Sequence, residues 1–286
     1  MMKLQLNNVS YVYSKGTPFQ KTALNNITVG FEEGKITGLI GHTGSGKSTL
    51  VNLLNGLSAP TSGEVLLDGE NIWDNPREIA KIRFRVGLVM QYPEYQLFDE
   101  TVRQDIGFGP RNLGLDAEEV ERRVNEAVSF VGIEPSMLDK SPFELSGGQQ
   151  RRVAIAGILA MQPEVLVLDE PAAGLDPRGR REIMTGLVRY AREKGVTVIL
   201  VSHSMEDMAT YCDNVVVMYQ SQIYKSGTVE EIFQDAQGLT EVLLNVPQVS
   251  QIVARLKENG IALEGNLYTV SRTVDAICKY MTEVKR

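Results

Sequence analysis

The first third of the chain alternates apolar and polar residues over short distances. This pattern occupies residues 4–13 and 27–31, on either side of a loop that contains glycine and proline, and it returns at residues 64–67. Successive side chains of a strand point to opposite faces of its sheet, so such alternation is typical of strands with one covered face. The N-terminal region is therefore predicted to hold antiparallel strands.

Short uninterrupted apolar runs recur through the rest of the chain. They lie at residues 36–40, 86–90, 165–168 and 197–202. Continuous apolar strands are expected in parallel sheets, because both faces of such a sheet are buried. Residues 214–225 are predicted to form a hairpin that closes the sheet.

A region of helical spacing interrupts these runs. Between residues 92 and 160 the chain is predicted to form a mostly helical insertion. Its clearest helix covers residues 116–131 and stops at Gly132. Loops are predicted on either side of this helix, at residues 108–114 and 133–142.

The pattern changes again after about residue 239. Apolar residues recur at helical spacing over residues 249–256 and over residues 274–284. The spacing leaves open whether these stripes pack on the same chain or on a partner. Because extended apolar faces at a surface mark interfaces, residues 239–286 are predicted to be an extension for subunit association, following a main domain at residues 1–238.

Composition and charge exclude several classes of function. The chain has 286 residues, a formal net charge of −7 and a pI near 5.1. This balance argues against nucleic-acid binding, because phosphate contacts need clustered basic residues. The two cysteines fit neither a disulfide framework nor a metal motif. No apolar run approaches the roughly 18 residues that a membrane span needs, so the chain is predicted to be soluble and cytosolic, without a span of its own.

The most informative motif follows the apolar run at residues 36–40. Residues 41–49 read Gly-His-Thr-Gly-Ser-Gly-Lys-Ser-Thr and match the phosphate-binding loop G-x-x-x-x-G-K-[ST]. Glycines let backbone N–H groups converge on an anion, and the following helix adds its N-terminal dipole. Lys47 is predicted to reach the outer phosphates and Ser48 to ligate Mg²⁺. A glycine-rich turn without a ligand is the alternative, but strand, loop and helix stand in the required order.

A second glycine-rich sequence, Leu-Ser-Gly-Gly-Gln at residues 145–149, opens another predicted helix. Ser146 and Gln149 have the spacing of a capping box, which would explain them structurally. Two adjacent glycines at a helix N-terminus also leave an uncovered site for an anion. The two interpretations are compatible, and the second accounts for more of the residues.

Two acidic residues, Asp169 and Glu170, follow the apolar run at residues 165–168. Ligands of α/β proteins bind at the edge of the sheet formed by the carboxyl ends of its strands. Asp169 is therefore predicted to hold Mg²⁺, and Glu170 to polarise a nucleophilic water. His203 follows the run at residues 197–202 and is predicted to lie at the same edge. The alternative is that Asp169 and Glu170 are only solvated side chains at a strand end and that His203 has a structural role.

Five elements thus stand in one order along the chain: the phosphate loop, Gln91, the Leu-Ser-Gly-Gly-Gln sequence, the acidic pair and His203. Together they resemble the ATP-binding subunit of ABC transporters over residues 3–235. The resemblance implies an α/β fold, namely a P-loop ABC ATPase with a mixed core sheet, an antiparallel β subdomain, a helical subdomain and a small C-terminal α/β extension. It also implies that Gln91 is the Q-loop glutamine, that residues 173–176 are the D-loop, and that His203 is the switch histidine.

The resemblance completes the expected site, with ATP and Mg²⁺ as its ligands. Tyr13 resembles the adenine-stacking aromatic of the family, although its strand pattern alone favours packing on the core. The residues expected to contact ATP are Tyr13, Gly41, Thr43, Gly44, Ser45, Gly46, Lys47, Ser48, Thr49, Ser146, Gly147, Gly148, Gln149 and Asp176. Those expected to act in catalysis are Glu170, His203, Lys47 and Gln91, and those expected to hold the metal are Ser48, Gln91 and Asp169.

Within this family, residues 91–98, 141–144 and 150–157 resemble the energy-coupling-factor (ECF) branch. The resemblance is greatest to the second ATPase subunit of complexes that import vitamins. Tyr95 departs from the small or polar residue that is more common at its position.

The resemblance implies an ATP hydrolase in which two nucleotide domains enclose two ATP molecules head to tail. The phosphate loop of one domain would face residues 145–149 of the other. The implied partners are a second, non-identical ATPase subunit, a transmembrane coupling subunit and a membrane subunit that binds a vitamin or other micronutrient. The chain would then lie at the cytoplasmic face of the membrane.

The alternative from another class is a soluble ABC ATPase that acts on DNA or ribosomes. Such proteins carry long coiled coils or two cassettes in one chain, and this sequence has neither feature. A P-loop GTPase or kinase is also disfavoured, since no Asn-Lys-x-Asp motif exists to compete with Leu-Ser-Gly-Gly-Gln. The transported substrate is not encoded, because its recognition belongs to a different polypeptide.

Overall fold

Two β-sheets organise the computed structural model of the chain, which describes residues 1–284. The strands are β1 (Met2–Tyr13), β2 (Lys21–Glu32), β3 (Ile36–Gly41), β4 (Ser62–Leu67), β5 (Glu70–Asn71), β6 (Val86–Val89), β7 (Val165–Asp169), β8 (Thr197–Val201), β9 (Asn214–Tyr219) and β10 (Gln222–Thr228). One sheet is antiparallel, in the order β2-β1-β4-β5. The core sheet has the order β10-β9-β3-β8-β7-β6, parallel except for β10. The predicted mixed core sheet and antiparallel subdomain are confirmed.

Helices cover the core sheet and form the insertion and the C-terminal extension. They are α1 (Lys47–Leu54), α2 (Ile79–Arg85), α3 (Val102–Asn112), α4 (Ala117–Val131), α5 (Gly147–Ala160), α6 (Pro177–Lys194), α7 (Met205–Tyr211), α8 (Val229–Gln234), α9 (Ala236–Glu241), α10 (Gln248–Glu258) and α11 (Val270–Val284). Within residues 1–284, none of these helices combines the length and apolarity that crossing a membrane would require.

The core sheet separates two apolar layers. Along β7, Leu166 and Leu168 pack with the helices on one face, whereas Val165 and Val167 pack with α1 and the antiparallel sheet on the other. Because successive side chains of a strand alternate in direction, a strand buried on both faces needs apolar residues at every position. This requirement explains why uninterrupted runs mark the core strands in the sequence.

The helical insertion is built from α3, α4 and α5, and it corrects one expectation. The loop predicted at residues 108–114 is wrong for its first five positions, which belong to α3. Glycine and proline suggested a loop, but Gly109 allows close packing between helices, since a Cβ there would lie 2.6 Å from Cγ of Met161. Pro110 lies in the last turn of α3, near the end of the helix.

The C-terminal extension differs from the expected α/β form. Helices α10 and α11 are joined by an irregular segment, and no strand forms among the described residues after β10. The apolar stripes at residues 249–256 and 274–284 have the helical period, and both lie on helices. The described part of the extension therefore contributes no strand to either sheet. The side chain of Val284, at the end of the second predicted stripe, and residues 285 and 286 lie outside the described part of the chain.

Candidate nucleotide-binding site

The phosphate loop connects β3 to α1 and forms the base of the candidate site. Gly46 is the N-cap of α1 and has a φ of 106°, in the left-handed region that favours glycine. A side chain would not fit there, because a Cβ on Gly46 would lie 2.5 Å from the carbonyl oxygen of Ala23. Gly46 supplies no side-chain cap, so the first N–H groups of α1 remain available to an anion.

Lys47 is buried at the start of α1, with its ammonium group held against the loop. Its Nζ donates to the carbonyl oxygens of Gly41 at 2.6 Å and His42 at 3.1 Å. Burial lowers the pKa of Lys47, and the carboxylates of Glu170 and Asp169 oppose this shift. The loop therefore holds the Lys47 ammonium group close enough to Asp169 and Glu170 for electrostatic attraction.

Strands β7 and β8 bring the acidic pair and the histidine to one edge of the core sheet. They are parallel neighbours, with Asp169 opposite Val201, so their carboxyl ends meet. Glu170 Oε1 accepts a hydrogen bond from the backbone N–H of His203 at 2.9 Å and lies 3.8 Å from His203 Nε2. Glu170 has a φ of 52°, a conformation that non-glycine residues rarely adopt.

The surroundings of the acidic pair raise the pKa of both carboxyl groups. Burial raises the pKa of Asp169, and the ammonium of Lys47 acts against that rise. Burial likewise raises the pKa of Glu170, opposed mainly by the proximity of His203 and by its backbone hydrogen bond. A carboxylate with a raised pKa binds a proton more readily than one in water, which suits a general base.

One cavity of about 350 Å³ joins the phosphate loop to this acidic edge. The sequence-predicted residues that line it are Tyr13, Thr43, Gly44, Gly46, Lys47, Ser48, Thr49, Gln91, Asp169, Glu170 and His203. Two loop residues that were expected to contact ATP do not line it: Gly41 offers its carbonyl oxygen to Lys47, and Ser45 is fully buried. The structure thus gathers predicted residues from five parts of the sequence around one space.

Tyr13 stands at one side of the cavity, at the end of β1. Its side chain is 43% exposed, and its hydroxyl lies 3.1 Å from Oγ1 of Thr49. An edge-to-face contact with Tyr11, at 4.8 Å between ring centroids, supports the ring. The ring is therefore partly exposed at the cavity. This exposure disfavours the alternative that Tyr13 packs on the core.

The second glycine-rich sequence lies outside this cavity. Ser146 is the N-cap of α5, and Oε1 of Gln149 accepts from the N–H of Ser146 at 2.9 Å, so the predicted capping box forms. A Cβ on Gly148 would lie 3.4 Å from Cδ2 of Leu175, next to the N-cap of α6. We define the signature patch as Ser146, Gly147, Gly148, Gln149 and Asp176.

Three cavity residues escaped the sequence analysis: Lys21, Ala23 and Val201. Lys21 pairs with Tyr13 across the hairpin of β1 and β2. The alternating pattern indicated the two strands, but it did not fix their register, which depends on turn geometry and on the core face. Only a register assignment could have placed Lys21 beside Tyr13.

Comparison with known proteins places this site in a family. Residues 24–173 match the family model described as ABC transporter. The "Energy-coupling factor transporter ATP-binding protein EcfA2" of Clostridium acetobutylicum is 49% identical over 286 residues, which cover 100% of both chains. The protein of the same name from Clostridium perfringens is 48% identical over 96% of this chain and 97% of its own.

Solved structures give the same result. The structure of cbiO1 from Clostridium perfringens, described as part of the ABC transporter complex cbiONQ, has a TM-score of 0.75 at 40% identity and covers 88% of this chain and 99% of that one. The ATP-binding cassette MJ0796, solved as a dimer in a post-hydrolysis state with ADP and Pi, has a TM-score of 0.71 at 30% identity and covers 79% and 98%.

The fold and the cavity together define an ATP-binding cassette. The chain belongs to the ABC transporter family and, within it, to the energy-coupling factor transporter ATP-binding proteins. It is therefore an ATP-binding and ATP-hydrolysing subunit of a transporter, and the resemblance found in the sequence is confirmed.

Proposed function

We propose that the chain hydrolyses ATP as one of two paired ATPase subunits, each ATP lying between the phosphate loop of one subunit and the signature patch of the other. One observation carries this proposal. The described residues that line the cavity include the phosphate loop and the acidic edge, but no residue of the signature patch. An exposed helix N-terminus with two glycines is suited to a phosphate held by another chain. That MJ0796 was solved as a dimer with ADP and Pi supports such pairing.

Binding in this proposal begins at the phosphate loop. Lys47 and the first N–H groups of α1 hold the outer phosphates, and Tyr13 stacks against the adenine. Phosphoryl transfer leaves the protein little covalent chemistry, so positioning and charge stabilisation carry the rate enhancement. The signature patch of the opposite subunit adds N–H donors at the γ-phosphate.

Glu170 is proposed to orient the attacking water and to accept its proton. The hydrogen bond from the N–H of His203 fixes the carboxylate, and the unusual φ of Glu170 is the kind of backbone strain found at functional sites. The imidazole of His203 contacts the γ-phosphate from the same edge. Together they place a base and a polar contact at the same edge, next to the transferred group.

Mg²⁺ fits the oxygen donors that line the cavity, which are the hydroxyl of Ser48, the amide of Gln91 and the carboxylate of Asp169. Mg²⁺ usually binds one or two carboxylates together with nucleotide phosphates, rather than a cage made only of protein. Among the described residues, no three or more acidic, histidine or cysteine side chains are grouped so that they could hold a metal ion by themselves. When bound, the ion would neutralise charge on the phosphates.

An exposed aromatic surface beside Gln91 is proposed to contact the membrane partner. We define the docking surface as Tyr92, Tyr95, Phe98 and Phe108, whose exposed fractions run from 42% to 85%. Their rings pair, with centroids 6.0 Å apart for Tyr92 and Tyr95 and 4.9 Å apart for Phe98 and Phe108. Exposed aromatic side chains that are close in sequence and paired in this way are typical of an interaction site.

The proposed partners are a second, non-identical ATPase subunit, a transmembrane coupling subunit and a membrane subunit that binds a vitamin or other micronutrient. The chain would then act at the cytoplasmic face of the membrane. Support comes from the relatives named for energy-coupling factor transporters and from cbiO1, which is described as part of a cbiONQ complex. The soluble alternative acting on DNA or ribosomes has no comparable support.

Tyr95→Glu is expected to separate the chain from its membrane partner, because a charge on the docking surface would be desolvated when the partner binds. Tyr95 is 85% exposed, so the substitution leaves the core unaltered. Phe19→Glu is the matched control, since Phe19 is also an aromatic residue with 85% exposure but lies in the hairpin loop between β1 and β2. Affinity purification of the complex from detergent-solubilised membranes measures the effect. Equal recovery of the membrane subunits with both variants would contradict the docking surface.

The C-terminal extension is proposed to hold two ATPase subunits together while the nucleotide sandwich is open. Ile252, Val270, Val274 and Met281 remain 50–63% exposed on α10 and α11. In contrast, Leu239, Val242 and Leu244 are buried in the main core. We therefore place the start of the association region near residue 247, with the main domain before it.

Removal of residues 247–286 is expected to weaken association of the nucleotide-free subunits while ATP binding to a single chain persists. Val274→Asp should have the same effect with less disturbance, because it places a charge on the exposed stripe. Light scattering on the nucleotide-free subunits measures association. If both variants pair as tightly as the full chain and only the melting temperature of the isolated subunit falls, the extension packs on its own domain instead.

A further inference from the structure

A buried arginine connects three segments around the proposed sites. Arg151 lies on α5 and its side chain is only 3% exposed. Its guanidinium donates to both carboxylate oxygens of Glu94, from Nε at 3.0 Å and from Nη2 at 2.9 Å. Nη1 donates to the carbonyl oxygen of Ala173, and the guanidinium carbon lies 5.6 Å from the ring centroid of Tyr92. Each of the three guanidinium nitrogens thus donates a hydrogen bond, and an aromatic ring lies against the group.

The three segments that Arg151 joins belong to different parts of the proposed mechanism. Glu94 lies in the short helix Pro93–Gln96, and its neighbour Tyr95 belongs to the docking surface. Ala173 opens the segment that leads to Asp176 in the signature patch. Arg151 itself lies in the second turn of α5, the helix that Ser146 caps.

The neighbouring residue on the same helix, Arg152, offers a comparison for this arrangement. Arg152 also pairs with a glutamate, Glu182 at 2.8 Å, and also donates to a carbonyl oxygen, that of Val131 at 2.6 Å. Those contacts lead to α4 and α6, away from the docking surface. Two similar ion pairs on one helix therefore differ in what they connect.

We infer that Arg151 is a positioning residue that links the docking surface to the signature patch through its ion pair with Glu94. The inference rests on the proposed docking of a membrane partner at that surface. A bidentate ion pair has one preferred geometry, and separating it would leave a buried charge without a partner. Movement of Glu94 by a docked partner therefore carries Arg151, α5 and Ala173 with it.

The experiment measures ATP turnover by the assembled transporter with Glu94→Gln, Arg151→Lys and the two combined. Each single variant is expected to lower kcat about tenfold, with KM for ATP nearly unchanged. The double variant is expected to be no slower than either single variant, because both substitutions break the same link. Glu182→Gln, which weakens the neighbouring pair, is expected to leave kcat within about twofold.

Several outcomes would overturn this inference. Effects of the two substitutions that multiply would show that Glu94 and Arg151 act independently of their ion pair. An equal loss of kcat in Glu182→Gln would show that ion pairs on α5 affect turnover only by stabilising the helix. Turnover is counted per bound ATP, so molecules that fail to fold do not lower kcat. If Glu94→Gln folds poorly, Arg151→Lys still tests the link, because it keeps a positive charge opposite Glu94. Failure of the docking proposal is distinguished by Tyr95→Glu: if that variant still co-purifies with the membrane subunits, the docking surface is wrong, whatever the variants of the ion pair show.

Discussion

Glu170→Gln is expected to lower steady-state ATP turnover by a factor on the order of 10² or more, while ATP still binds. The substitution keeps the size of the side chain and its ability to accept the hydrogen bond from the N–H of His203. It removes the negative charge that would polarise the attacking water. Turnover is measured with saturating ATP and Mg²⁺, and binding with a fluorescent nucleotide.

The pH dependence of turnover tests the same role. Burial raises the pKa of Glu170, and the base must be deprotonated to act. Turnover of the wild-type chain is therefore expected to fall as the pH is lowered into this raised range, and the residual activity of Glu170→Gln should lack that decline. Glu118→Gln, the same chemical change at an exposed position on α4, is the control. Near-normal turnover in Glu170→Gln would rule Glu170 out as the principal base.

Lys47→Ala and Ser146→Arg are expected to fail in different ways. Lys47→Ala removes a cation from the phosphate loop and should weaken ATP binding roughly 10- to 100-fold. Ser146→Arg leaves the loop intact and should bind ATP normally as a single chain. It should nevertheless lose turnover by a factor on the order of 10², because bulk at the signature patch keeps the opposite subunit's phosphate out of reach of its donors.

The second substitution needs its own control, because Ser146 is also the N-cap of α5. Loss of such a cap costs about 1 kcal/mol of stability. Ser146→Ala loses the cap without adding bulk, so the difference between Ser146→Ala and Ser146→Arg isolates the steric effect. Titration with a fluorescent nucleotide decides: an equal loss of ATP binding in Lys47→Ala and Ser146→Arg would mean that both residues serve ATP in the same chain.

The phosphate loop could be predicted from the sequence because all its parts are local. A strand, a glycine-rich turn and a helix follow one another within residues 36–54, and their order is the signal. The acidic pair and His203 could be placed at one edge because they follow runs that parallel strands must carry to the same side. Chemistry at the ends of buried strands is therefore open to sequence reasoning.

Other features depend on contacts between distant segments and were not predictable. The sequence predicts a loop at the end of α3 because Gly109 and Pro110 are usual in loops, whereas contact with Met161 makes the glycine part of a helix interface. The docking surface was also hidden, since the exposure of Tyr95 depends on how the insertion folds. The ion pair of Arg151 with Glu94 joins residues 57 positions apart, beyond any local pattern.

The sharing of ATP between two subunits is tested most directly by photolabelling. The Lys47→Ala chain, assembled with its second ATPase subunit and membrane partners, is irradiated with an ATP analogue that carries a photoreactive group on the γ-phosphate. Because ATP binding at this chain's own phosphate loop is weakened, labelling of its residues 146–149 at a low analogue concentration comes from ATP held by the other subunit. We expect that labelling to persist in Lys47→Ala and to disappear when Ser146→Arg is added. If Lys47→Ala alone abolishes it, the signature patch contacts ATP of its own chain, and the shared site is contradicted.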